Sequence, residues 1–213
     1  MHIGIAGNIG SGKSSLTQLL TENFGWKAHY ESVEDNPYLK DFYSDMYRWS
    51  FHLQVYFLTQ RFKSVQRIRW AQETIVQDRT IYEDAYIFAE NLYHMGYMSK
   101  REYASYLELF RTMSAFLTKP DLLIYLKASV PTLVKQIQKR QRSFESAIKT
   151  DYLNRLNEKY DVWMEKYTGE LLVINVDDFN FVDNSEHTEN VLGIISRTVA
   201  NLTDINDTKN EIL

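Results

Sequence analysis

Cysteine is absent from the 213-residue chain, which excludes a disulfide framework, a thiolate zinc site and a cysteine nucleophile. Proline falls to three residues and glycine to eight, well under ordinary usage of about 5% and 7%, leaving too few turn formers for a many-stranded sandwich. Helices should therefore dominate. No apolar run approaches the ~18 residues of a membrane span. Charge of one sign is not in excess either: 24 Lys plus Arg oppose 28 Asp plus Glu, a net −4, so there is no positive field to hold a nucleic-acid backbone. The five histidines, His2, His29, His52, His94 and His187, lack the i,i+4 spacing of a helical metal pair. The opening MHIGIAG has neither a basic n-region nor an apolar h-region, so a cytoplasmic protein is expected and the glycosylation patterns at Asn201 and Asn206 are chance matches.

What is present reads as one α/β domain. Hydrophobic residues are 44% and charged residues 24%, ordinary for a globular chain, and the length suits a single domain at ~150 residues each. Short β-branched runs alternate with longer amphipathic stretches, the pattern of a parallel sheet with crossover helices. Strands are predicted at 2–6, 27–30, 74–77, 122–126 and 171–176, and helices near 13–24, 37–45, 48–71, 83–95, 99–118, 130–140, 150–168 and 184–202. The domain should span 1–202, and the polar tail 203–213 is expected to fray.

Gly7-Asn8-Ile9-Gly10-Ser11-Gly12-Lys13-Ser14 fits G-x-x-x-x-G-K-[ST] between a predicted strand and a predicted helix, the context that a P-loop requires. Its glycines let backbone N–H groups turn inward toward phosphate, and the helix N-terminus adds a favourable dipole. Lys13 should reach the β- and γ-phosphates and Ser14 should hold Mg²⁺, with Ser15 completing the loop. A GTPase is disfavoured because no DxxG occurs. The resemblance of Thr118-Lys119-Pro120-Asp121 to a guanine reader is discounted because it precedes its strand, whereas ligands bind beyond the carboxyl ends. A motor ATPase would bring further elements. A small-molecule kinase remains.

Every predicted strand end carries polar chemistry: the P-loop, then Glu31-Ser32-Val33-Glu34-Asp35, Asp78-Arg79, Arg140-Gln141-Arg142 beyond the fourth strand's helix, and Asp177-Asp178-Phe179-Asn180-Phe181. Phosphoryl transfer from ATP needs a proton acceptor, cations for the moving phosphoryl group and a Mg²⁺ organiser. Glu31 is the base candidate, Asp78 a Mg²⁺ holder through water, Arg79 a partner for Glu31 or phosphate, and Arg140 and Arg142 lie in a lid over about 136–148. A nucleotide acceptor would need a second arginine cluster. The acceptor candidates Tyr43, Gln54 and Glu145 are instead neutral or acidic, and Gln54 and Arg61, seven residues apart, share a helix face suited to a heterocycle edge.

GNIGSGKSS, the Glu-Ser-Val after the second strand, RWSFHLQVYFLTQR, DRTIYEDAYIFAENLY and RQRSFE together resemble the deoxyribonucleoside kinases, in particular the deoxycytidine/deoxyguanosine/deoxyadenosine kinase branch, over about residues 1–182. The resemblance implies a five-stranded parallel sheet, a homodimer built on long helices, and ATP with Mg²⁺. It implies that Glu31 takes the 5′-hydroxyl proton with Arg79 holding it and the phosphoryl group. It places Tyr43 and Glu145 on the sugar 3′-hydroxyl, Gln54 and Asp84 on the base, Arg61 on Asp84 and Phe88 stacked on the base. Asp178, Asn180 and Phe181 fall in the family's ATP-base loop, only loosely matched. Two positions depart from the pattern: Asp78 shortens an acid that is often Glu, and Gln136 stands where some members carry a further lid arginine.

The Arg61 and Asp84 pair argues for purine or cytosine over thymine, and Glu34-Asp35-Asn36-Pro37-Tyr38 most resembles bacterial deoxyadenosine kinases. Deoxyadenosine is therefore the first expectation, with deoxyguanosine and deoxycytidine open. A nucleoside monophosphate kinase is the second enzymatic reading. A nucleotide-binding regulator is the alternative class, opposed by the combination of Glu31, Arg79 and Arg142.

Overall fold

The computed structural model describes residues 1–30, 36–142 and 148–210. Strands β1 (His2–Gly7), β2 (Lys27–His29), β3 (Ile75–Asp78), β4 (Leu122–Lys127) and β5 (Leu171–Asn175) form one sheet in the order β2-β3-β1-β4-β5. Every pairing is parallel, with Ile5 opposite Asp78 and Gly7 opposite Leu126. The parallel sheet expected from the alternation is thus present, and all five strands end on one edge. β1 is central, buried from end to end, which the small and β-branched residues from Ile3 to Gly7 permit on both faces.

Helices cover both faces. Ile3 and Ile5 pack with Leu16 and Leu20 of α1 (Lys13–Phe24), Leu133 and Ile137 of α7 (Val130–Arg140), and Val191 and Ile195 of α9 (Ser185–Asn210). On the opposite face Ala6, Leu123 and Tyr125 meet Leu53 and Leu58 of α3 (Met46–Arg69), Tyr106 and Phe110 of α6 (Lys100–Ser114), and Leu156 and Tyr160 of α8 (Thr150–Glu165). A short α2 (Leu39–Ser44) precedes α3. Asp45 starts α3 by accepting a hydrogen bond from the Arg48 amide at 3.1 Å, and Ser99 and Glu102 box the start of α6.

One helix departs from the simple reading. After β3 the chain runs through α4 (Ile81–Glu83), a π-helical segment (Asp84–Ala89) and α5 (Glu90–His94). A π segment widens the turn and changes which side chains share a face, so the 3.6-residue period could not reveal it. The backbone of α9 runs as helix to Asn210. Within it Thr203 Oγ1 donates to the Val199 carbonyl at 3.0 Å. Asp121 of the guanine-reader look-alike accepts from the His2 amide at 2.6 Å at the amino edge of the sheet, where it is structural.

Candidate active site

The phosphate loop leaves β1 and turns directly into α1. Gly10 and Gly12 adopt left-handed φ values of 87° and 93°, and a Cβ on Gly10 would lie 2.8 Å from the Leu133 carbonyl oxygen, so neither position accepts a larger residue without strain. Lys13 is buried and donates to the carbonyls of Gly7 and Asn8 at 2.8 and 2.9 Å. Asn8 is tied to α8, its Nδ2 donating to the Leu153 carbonyl at 3.0 Å and Asn157 Oδ1 at 2.7 Å. Ser11 is fully buried beneath the loop.

β3 brings its own chemistry beside this loop. Ser14 Oγ donates to Asp78 Oδ2 at 2.5 Å, while Asp78 Oδ1 is buried with no hydrogen-bond partner among the described residues. Arg79 has a left-handed φ of 69°, a strain of about 1–3 kcal/mol for a non-glycine residue. Its neighbours enforce it: the Arg79 amide donates to the Ile5 carbonyl at 2.9 Å, and the Arg79 carbonyl accepts from Arg61 Nη1 at 3.1 Å. The twist turns the Arg79 guanidinium over the Phe88 ring, 4.2 Å from its centroid, a cation–π contact.

The π segment sets Asp84 and Phe88 toward the same space. Arg61 Nε lies 2.6 Å from Asp84 Oδ2, with both side chains almost wholly buried. Arg61 faces an adjoining cavity rather than this one, so the groove expected to present Gln54 and Arg61 side by side presents Gln54, with Arg61 holding Asp84 from behind. Gln54 is buried and its Oε1 has no hydrogen-bond partner among the described residues.

These groups line one cavity of about 230 Å³. Ile9, Gly10, Lys13 and Ser14 form its phosphate end, Asp78 and Arg79 its middle, and Tyr43, Gln54, Asp84 and Phe88 its far end. Arg140 and Arg142 flank it from the end of α7, splayed by the left-handed Gln141 between them. Cations from three elements thus line the cavity, while Leu39, Phe42, Leu53 and Phe57 supply an apolar wall. Sequence reasoning missed that wall, because apolar residues in a pocket carry the same pattern as core.

Tyr152 also lines the cavity. Burial drives its hydroxyl pKa upward, so it stays a neutral phenol and does not serve as a base. Glu31 and Glu145 lie outside the described residues, as does 143–147 of the expected lid.

The loop after β5 is not part of this cavity's lining. Asp177 caps α7 through the Ser129 amide and hydroxyl, the latter at 3.0 Å. Asp178 accepts from Asn175 Nδ2 at 2.7 Å, and the Asn180 amide donates to His187 Nδ1 at 3.0 Å. Phe181 is a core residue whose ring backs the phosphate loop, 3.1 Å from where a Gly12 Cβ would stand. Aromatic and apolar neighbours draw that ring inward, out of reach as an exposed stacking surface.

A phosphate loop facing a polar pocket in one cation-lined cavity is a phosphotransferase arrangement, and the family comparison decides which. The family model for deoxynucleoside kinases matches residues 3–200. The chain belongs to the deoxynucleoside kinase family. Among its relatives, the deoxyadenosine/deoxycytidine kinase of Bacillus subtilis is 37% identical over 92% of each chain. The deoxyguanosine kinase of Lactobacillus acidophilus is 40% identical over 89% of this chain and 87% of its own. The solved deoxyadenosine kinase of M. mycoides, with products dCMP and a flexible dCDP bound, superposes with a TM-score of 0.82 at 29% identity, covering 92% of this chain and all of that one.

As a deoxynucleoside kinase, the chain transfers a phosphoryl group from ATP to a deoxynucleoside. Among the described residues the phosphate loop with Lys13 stands at one end of the cavity and a polar pocket at the other. Among the described residues no helix is long and apolar enough to cross a membrane.

Proposed function

We propose that this kinase prefers deoxyadenosine, phosphorylating its 5′-hydroxyl with Glu31 as the proton acceptor. The observation that carries the base preference is the buried Gln54 Oε1 in the wall of the cavity, without a hydrogen-bond partner among the described residues. A buried amide oxygen calls for a donor, and a glutamine amide pairs bidentately with adenine through the exocyclic amine and a ring nitrogen. Asp84 adds a second acceptor nearby, whereas the O6 of guanine would need a donor. Deoxycytidine, whose exocyclic amine offers the same donor, is the second choice.

Mg²⁺ fits the residues present. Asp78 Oδ1 is a buried carboxylate oxygen with no hydrogen-bond partner among the described residues, and Ser14 Oγ is bonded to the other oxygen. These hard oxygens suit an ion that takes its remaining ligands from water and phosphate. When bound, it supplies charge neutralisation for the triphosphate; Asp78 and Ser14 would hold it. Tyr43 and Glu145 are assigned to the sugar 3′-hydroxyl, and Arg79, Arg140 and Arg142 to the phosphoryl charge.

A homodimer completes the proposal, with the π segment, α5 and α8 at its centre. Tyr86 and Val162 stand 42% and 52% exposed there, beside Trp163 in one groove, an apolar surface that a second copy would cover. ATP and deoxynucleosides are cytoplasmic metabolites, which fits a cytoplasmic enzyme.

A coupled assay with ATP, Mg²⁺, each of the four deoxynucleosides and dAMP tests the reading. Deoxyadenosine should give the highest kcat/KM, and Glu31→Gln should lose turnover by orders of magnitude with ATP binding near normal. A higher kcat/KM for deoxyguanosine would overturn the base assignment, and retained turnover in Glu31→Gln would remove Glu31 as the base.

A further inference from the structure

Glu83 is fully buried, beside Asp84 in sequence but facing away from the acceptor pocket. Its Oε1 accepts from the Gly7 amide at 3.2 Å and lies 2.7 Å from the Tyr160 hydroxyl. Its Oε2 accepts from the Thr80 amide at 2.7 Å and the Thr80 hydroxyl at 3.2 Å. One carboxylate therefore grips the first residue of the phosphate loop and the residue after Arg79. Tyr160 comes from α8, a third element, and its hydroxyl is also 2.8 Å from the Gly7 carbonyl. That carbonyl already accepts from Lys13 Nζ at 2.8 Å.

A phenol has one proton to donate and here faces two acceptors. Burial, reinforced by the Glu83 charge, raises the Tyr160 pKa well above its ordinary value, so the proton stays on the oxygen. While Lys13 serves the Gly7 carbonyl, Tyr160 is best used on Glu83. Once Lys13 turns to phosphate, that carbonyl loses a donor in a buried site, where an unmet acceptor is costly.

We propose that Glu83 and Tyr160 are positioning residues for the ATP site, the Tyr160 hydroxyl turning from Glu83 to the Gly7 carbonyl as Lys13 leaves it for the triphosphate. The loop then keeps its shape in both states, and Lys13 is released without stranding a carbonyl. Glu83 retains the Gly7 and Thr80 amides throughout, so the phosphate loop and Arg79 stay in register. This rests on the kinase reading of the same site.

The test is Tyr160→Phe, which removes only the hydroxyl from a ring stacked on Tyr125 at 5.6 Å. ATP affinity measured by titration calorimetry and KM for ATP should each worsen about tenfold, with KM for the deoxynucleoside within about twofold and Tm without ligand within about 3 °C. Glu83→Gln, which keeps an oxygen for Gly7, should lie between wild type and Glu83→Ala in ATP affinity. Unchanged ATP affinity in Tyr160→Phe would overturn the proposal, as would a parallel rise in both KM values with a fall in Tm, the mark of a purely structural role. Calorimetry reads ATP binding directly, so a wild-type protein that binds ATP but turns over no deoxynucleoside would sink the kinase reading and leave the positioning test standing.

Discussion

Arg61 and Asp84 form a buried ion pair at 2.6 Å, contributed by the middle of α3 and the first residue of the π segment. Arg61 also donates to the carbonyls of Asp78 and Arg79, at 3.3 and 3.1 Å. One guanidinium thus fixes the acceptor pocket and the strained turn after β3 together. Removing one partner of such a pair strands a buried charge, and Asp84→Ala should cost about 3–5 kcal/mol in urea unfolding. Arg61→Met with Asp84→Ala should cost less than the two single changes summed, measured as a double-mutant cycle. Strict additivity would show that the pair does not couple.

Asp78 gives a prediction of opposite sign for stability and activity. Its buried Oδ1 has no hydrogen-bond partner among the described residues, so Asp78→Asn removes a buried charge while keeping an acceptor for Ser14. Tm should hold or rise, and the Mg²⁺ concentration for half-maximal turnover should rise about tenfold or more. Unaltered Mg²⁺ dependence would separate Asp78 from the ion.

Acid should destabilise the fold through two histidines. Burial lowers the pKa of His2, against the opposing hydrogen bond to Gln77 at 2.8 Å, and burial with the nearby Arg67 lowers that of His29. For a folded-state pKa below the ordinary 6.5, the unfolded chain binds the proton more readily, so stability rises with pH across the gap. The contribution is complete above 6.5 and is lost as pH falls from there toward the folded values. Urea midpoints measured from pH 7.5 to 5 should show this loss, and His2→Gln with His29→Gln should flatten it.

The proposed dimer face predicts a change in mass. Val162→Glu would set a charge in the apolar groove beside Trp163, and light scattering should move from twice the 25.2 kDa chain mass to the single value. A wild-type monomer would remove the interface.

Local rules made much of this protein legible. Gly7 to Ser14 announces its loop because only glycine tolerates the backbone of Gly10 and Gly12, and the burial of β1 follows from its composition. Other features left faint traces: Thr80 and Glu83 have the spacing of a capping box and do form one, but nothing in that spacing tells that Glu83 also holds Gly7. In the loop after β5 the spacing likewise does not tell that Asp177 caps a helix or that Phe181 enters the core.

The sequence by itself determined the parallel α/β architecture, the phosphate loop and the set of polar groups at the strand ends, because periodicity, glycine and short spacing act locally. Tertiary structure alone decided that Arg61 stands behind Asp84, that Arg79 is twisted over Phe88, and that Tyr160 reaches Gly7 from 153 positions away. Those relationships depend on strand order, on a π turn that breaks the helical period and on the packing of distant helices, and only the folded chain brings such distant side chains to hydrogen-bonding distance.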